Sequence, residues 1–94
     1  MTTVTVRIPT PLRSYTQGAD EVRTEGATVA EVMRTLGTAC DGLLARVLTA
    51  EGEPRQFVNI YLGSRNVRAL RGMETPVNEG DVISIVPAVA GGAA

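Results

Sequence analysis

Side chains able to do chemistry are few in this chain, and none stands in a catalytic arrangement. The sequence has no histidine and no lysine; nine arginines face ten carboxylates for a formal charge of −1, with one cysteine and two tyrosines. The usual general base, the commonest metal ligand and the Schiff-base nucleophile are therefore absent. Most carboxylates sit in polar stretches and read as solvated surface. Glu79 and Asp81 belong to a turn signal, Asn78-Glu79-Gly80-Asp81, and lack further ligands for a metal. Cys40 can form no intrachain disulfide, and a Cys-built zinc or iron–sulfur cage is excluded. It lies among small residues with no cationic neighbour in sequence, so it reads as a packing residue. Arg65, Arg68 and Arg71 form a mild basic cluster, a solvated face or a contact for an acidic partner. With charge so balanced, nucleic-acid binding is not expected. An enzyme built from this chain alone is therefore not expected.

Length bounds the rest. Ninety-four residues make one small domain, which buries roughly 60–65% of its unfolded surface. No apolar run reaches the roughly 18 residues of a membrane span, and Met1–Ile8 lacks a signal-peptide layout. No membrane association is expected, and an intracellular, cytoplasmic setting fits the lone cysteine.

The elements of the domain follow from periodicity. Thr3 to Ile8 alternates, with Val4, Val6 and Ile8 on one strand face; Pro9 and Pro11 end it. A short strand is expected around Glu21–Thr24, completing an opening hairpin with a long loop. Thr28-Val29-Ala30-Glu31 is a capping box, in which Glu31 reaches back to the Thr28 N–H. Val29, Val32, Met33 and Leu36 follow it as one apolar stripe. Gly37 reads as the helix stop. A second helical piece is expected from Gly42 to Leu48, with Asp41 as its cap. Phe57 to Leu62 is the strongest strand, with Val58, Ile60 and Leu62 on one face. Gly63-Ser64 turns the chain into a brief strand at Val67-Arg68, and the Asn78–Asp81 turn leads into a last strand, Val82 to Val86. Beyond Pro87 the residues are small and uncharged and predict a flexible tail, 88–94, after a domain over 1–87. The order predicts a mixed sheet wrapped over one helix, the first and last strands adjacent, with Ile60, Leu62, Ile83 and Ile85 in the core. Val82 and Val86 then face solvent, sharing that side with Phe57 and Tyr61 as a docking surface.

This layout, with Gly80-Asp81 before the last strand and Pro87-Ala88-Val89-Ala90-Gly91-Gly92 after it, resembles the ubiquitin-like sulfur carriers of the MoaD/ThiS type. Ile8-Pro9-Thr10-Pro11-Leu12-Arg13 and Phe57-Val58-Asn59-Ile60-Tyr61 resemble the CysO branch of that family in particular. The resemblance implies an α+β, β-grasp domain. It implies that an activating enzyme related to those for ubiquitin (the MoeB/ThiF type) adenylates the Gly92 carboxylate with ATP and replaces AMP by sulfur, leaving a Gly92 thiocarboxylate. In the CysO branch a pyridoxal-phosphate-dependent cysteine synthase receives the sulfur, and a JAMM-type zinc peptidase releases the product. Sulfur-containing secondary metabolites draw on related carriers. The chain would be a co-substrate that binds no cofactor itself.

The residue types suit that role. Gly91 and Gly92 lack a Cβ and can pass a constriction. Residues 88–92 reach on the order of 17 Å when extended, so Ala88, Val89, Ala90 and Gly91 could thread Gly92 into another protein's pocket. One departure stands out: Gly92 is followed by Ala93-Ala94, which ties its carboxyl into an amide. Either the Gly92–Ala93 bond is cut first, the JAMM-type peptidase being the natural candidate, or the alanines are a cloning remnant. Two other functions share the features: a protein modifier joined through Gly92 to target lysines, and a passive ubiquitin-like interaction domain.

Overall fold

The computed structural model describes residues 2–87; the expected flexible tail, 88–94, lies outside the described residues. The alternating segments become strands β1 (Thr3–Arg7), β2 (Glu21–Glu25), β3 (Val58–Leu62), β4 (Arg65–Asn66) and β5 (Val82–Pro87). They form one sheet in the order β2-β1-β5-β3-β4. β1 and β5 are adjacent and parallel, with Val6 opposite Ile83; the other neighbours are antiparallel. Helix α1 (Val29–Ala39) crosses one face, and the shorter α2 (Leu43–Val47) packs at its end. This is the expected β-grasp arrangement.

The core is where periodicity put it. Val4, Val6, Ile8, Ile60, Ile83 and Ile85 meet Val29, Val32, Met33 and Leu36, all buried. Leu62 is only partly buried and packs against the cluster from outside. Leu43, Val47, Leu48, Val67, Met73 and Val77 close the core from the loops and α2. Each strand's alternation fixes its register, because a slip of one residue would expose this whole set. No helix among the described residues is long and apolar enough to cross a membrane.

Several local expectations are corrected. Gly37 does not stop α1, which runs on to Ala39 with Cys40 as its C-cap. A Cβ at Gly37 would stand 2.9 Å from Leu44 Cδ2, so the glycine admits α2 rather than ending α1. Thr28 caps α1 as read, its Oγ1 accepting from the Glu31 N–H at 3.2 Å. The return bond reaches one residue further, from the Ala27 N–H to Glu31 Oε1 at 3.0 Å. Asp41 gives α2 no side-chain cap; Gly42 holds that position at φ +83°, against the Tyr15 ring. The brief strand is Arg65–Asn66, two residues earlier than expected, and Val67–Ala69 is a 3-10 turn capped by the Asn66 side chain. The expected loop after Pro9 begins with a 3-10 segment, Thr10–Thr16. There the buried Thr16 hydroxyl meets the Arg13 and Ala19 carbonyls at 3.1 and 2.8 Å.

Candidate functional site

Any use of the residues after Pro87 depends on what holds β5. This strand lies between β1 and β3, at the middle of the sheet. Its entry is fixed by the turn before it. The Asn78 N–H donates to Asp81 Oδ2 at 2.7 Å, the Asp81 N–H to the Asn78 carbonyl at 3.0 Å, and Gly80 takes φ +85°. The same turn is tied to β1, because the Thr3 N–H donates to Glu79 Oε1 and the Gly80 N–H to the Thr3 carbonyl, both at 2.9 Å. Glu79 and Asp81 are thus turn residues, as read. At the far end Pro87 pairs with Val58 and Val86 with Asn59. The chain therefore leaves the described domain from a central strand that β1 holds as far as Ser84 and β3 holds to its end at Pro87.

Strand alternation sends β5's two faces to different environments. Ile83 and Ile85 enter the core, while Val82 and Val86 are 36% and 41% exposed on the other face. Ser84 lies between them, opposite Tyr61 on β3 and Arg7 on β1. Tyr61 shares this outer face but is half-buried. Phe57, 51% exposed, precedes β3 rather than lying in it, beside the end of the sheet where Pro87 meets Val58. Of the four expected docking residues, Val82 and Val86 therefore lie on β5 and Tyr61 on β3, with Phe57 just before β3. Gly91, Gly92 and Ala93, with Ala88, Val89 and Ala90, lie outside the described residues.

One contributor to this face was not separated from its neighbours in sequence. The Arg68 guanidinium lies 3.3 Å from Asn59 Oδ1 and 3.4 Å from the Val58 carbonyl, and Asn66 Nδ2 also donates to Asn59 Oδ1, at 3.2 Å. This network sets a cation next to the residues that pair with Val86 and Pro87. Its partners are seven to ten positions apart in sequence, so no local pattern marks it. Cys40 is buried and free, in keeping with a packing role.

An apolar strand face rimmed by an oriented cation is suited to protein docking, where burying exposed aliphatics supplies attraction and the charge supplies selectivity. Val86→Asp is expected to weaken binding of a protein partner that docks on this face about tenfold or more, as a carboxylate would be desolvated in an apolar contact. Because Val86 points away from the core, the melting temperature should fall by only a few degrees. Loss of the fold in this variant would refute the assignment of its face.

Known proteins share this architecture. The sulfur carrier protein CysO of Mycobacterium tuberculosis is 40% identical over 91 residues, spanning 95% of this chain and 98% of that protein. A chain in the crystal structure of the Amycolatopsis orientalis BexX/CysO complex superposes with a TM-score of 0.89 at 42% identity, covering 95% of this chain and 99% of that one. Small archaeal modifier protein 3 of Haloferax volcanii is 41% identical over 68 residues, 72% of this chain and 73% of that protein. A family model described as the ThiS family matches residues 6–92, and so runs from β1 through the glycine pair. By that match and these relatives, the chain belongs to the ThiS family of ubiquitin-like sulfur carriers.

Proposed function

We propose that this chain carries sulfur as a thiocarboxylate on Gly92. An activating enzyme of the MoeB/ThiF type docks on the outer face of β5 and adenylates the Gly92 carboxylate. The carboxylate oxygen attacks the α-phosphorus of ATP and pyrophosphate leaves; a sulfur donor then displaces AMP from the acyl carbon. The charged carrier passes its sulfur to a biosynthetic enzyme, with a pyridoxal-phosphate-dependent cysteine synthase the leading acceptor and an enzyme of sulfur-containing secondary metabolism the next. A JAMM-type zinc peptidase cuts after Gly92, both to free the carboxyl from Ala93 and to release product.

The observation that carries this reading is the family match running to Gly92, together with an exposed apolar face on the strand that leads toward it. A CysO chain 42% identical to this one has been seen in complex with BexX, which supports docking of such a domain on a protein partner. The chemistry needs no side chain of the carrier, which agrees with the absence of histidine and lysine.

The likeness to a small archaeal modifier protein favours a second reading, in which the activated Gly92 acylates lysines of other proteins. The readings share activation and differ in the acceptor. Mass spectrometry of the protein recovered from its native host is expected to show one oxygen exchanged for sulfur at Gly92. Gly92 found only in isopeptide bonds to other proteins would replace the carrier reading by the modifier one.

A further inference from the structure

β2 is an edge strand, paired with β1 alone. Along an antiparallel pair, residues bond to the neighbouring strand at every second position. At the ends of this ladder the Ile8 N–H donates to the Asp20 carbonyl at 2.8 Å and the Gly26 N–H to the Thr2 carbonyl at 3.1 Å. Stepping inward by twos, Val22 and Thr24 bond to β1, whereas Glu21, Arg23 and Glu25 turn their N–H and C=O groups outward. Among the described residues no loop or side chain hydrogen-bonds to those groups. Such an edge is a template for another strand. Beside it, between β2 and α1, lies a groove of about 280 Å³ lined by Val22, Thr24, Thr35, Leu36 and Ala39 among others. Thr24 is only 7% exposed, and its hydroxyl has no hydrogen-bond partner. A buried hydroxyl left unpaired is costly and calls for a missing partner.

We propose that the missing partner is a second copy of this chain. Two copies pair β2 against β2, antiparallel, about a twofold axis between their Thr24 residues, giving one continuous sheet with both α1 helices on the same side. The strand is self-complementary in that register. Arg23 lies opposite the second copy's Glu25, and Glu25 opposite its Arg23, so an ion pair forms on each side of the axis. The same residues carry the outward N–H and C=O groups, so each pair also exchanges backbone hydrogen bonds. Thr24 faces Thr24 as a non-hydrogen-bonded pair, with Cα atoms about 4.5 Å apart. At that separation one hydroxyl can bond the other. Thr35 and Ala39, a turn apart on α1, are small enough to let the second helix approach.

Neighbouring registers fit less well. Centring the axis on Arg23 sets Arg23 against Arg23 and Glu21 against Glu25, like against like. Centring it on Val22 matches Glu21 with Arg23 but places Thr24 opposite Asp20 and competes with the existing Arg7–Glu21 contact at 3.8 Å. The pairing is edge-on, so it leaves the outer face of β5 open on both copies. It stands or falls independently of sulfur chemistry at Gly92.

Sedimentation equilibrium of the full chain is expected to show a monomer–dimer equilibrium with Kd on the order of 0.1–1 mM, as suits a small interface. Arg23→Glu alone and Glu25→Arg alone should each weaken association about tenfold or more. An equimolar mixture of the two should restore it. Positions 23 and 25 are then both acidic in one chain and both basic in the other, so opposite charges face each other on each side of the axis. Thr24→Val should stay folded, with no loss in melting temperature, yet associate about tenfold more weakly. A single monomeric species at about 1 mM would overturn the proposal, and would leave the groove to a strand from a different protein. Rescue of Arg23→Glu by Glu21→Arg instead of Glu25→Arg would overturn the register. Failure of the mixture to associate, with both variants folded by circular dichroism, would overturn the ion pairs.

Discussion

A chain whose Gly92–Ala93 bond cannot be cut is expected never to acquire sulfur, whereas the same chain ended at Gly92 acquires it with no peptidase present. The difference is all-or-none because it concerns which atom is available to attack ATP. A free Gly92 carboxylate carries full negative charge on its oxygens. In the Gly92–Ala93 amide the nitrogen lone pair is delocalised into the carbonyl, whose one oxygen carries only a partial charge and has no anionic partner oxygen, so no acyl adenylate forms. Ala93→Pro gives a bond that most peptidases refuse while leaving residues 1–92 unchanged. With an activating enzyme, ATP, a sulfur donor and the JAMM-type peptidase, intact-mass measurement should show sulfur on the unaltered chain, after loss of the residues beyond Gly92, and none on Ala93→Pro. The chain ended at Gly92 should charge in both the presence and the absence of peptidase. Adenylation of the Ala93→Pro chain would end the idea that cleavage gates activation. Failure of the chain ended at Gly92 to charge with any cognate enzyme would end the carrier reading itself.

Much of this fold was legible because its strands are amphipathic and its first helix is capped by chemistry local in sequence. Val4, Val6 and Ile8, or Ile83 and Ile85, announce a buried face with no knowledge of what covers it. Thr28 and Glu31 announce a helix start because the atoms they satisfy lie within four residues. What was misread depends on neighbours distant in sequence. Gly37 looks like a helix stop until Leu44 is seen against it, and nothing near residue 37 says that a second helix must approach there. The strand expected at Val67-Arg68 falls at Arg65–Asn66 because Val67 is drawn fully into the core and the Asn66 side chain bonds the Arg68 N–H, bending the chain into a 3-10 turn. Arg68 looked no different from Arg65 or Arg71; its contacts with Asn59 and the Val58 carbonyl exist only once β3 and the turn after β4 are brought together. The site has the same division. The glycine pair stands out as a motif, and the exposed valines of β5 as alternation on the last strand. The cation on that face does not.

The separation of β5's two faces yields the second large effect. Ile83→Ala is expected to lower stability by about 3–4 kcal/mol. Ile83 is fully buried on the central strand, opposite Val6 on β1 and Leu62 on β3. Neither neighbour can move in to fill the space without breaking its own ladder, so the cavity persists. A domain of this length has about 5–14 kcal/mol in all, and the melting temperature should drop by roughly 15–25 °C. The loss of sulfur charging in this variant would track its unfolded fraction and return on cooling or with a stabilising osmolyte. Val86→Asp, three residues along and on the opposite face, should behave in the reverse way: folded, and poorly activated under every condition that leaves the domain intact. Denaturant unfolding monitored by circular dichroism, run beside the activation assay, distinguishes them. If Ile83→Ala melts with the unaltered chain, Ile83 does not hold the core as its burial implies. If both variants lose activation only in proportion to unfolding, the outer face of β5 has no part in docking, and its exposed valines are ordinary surface.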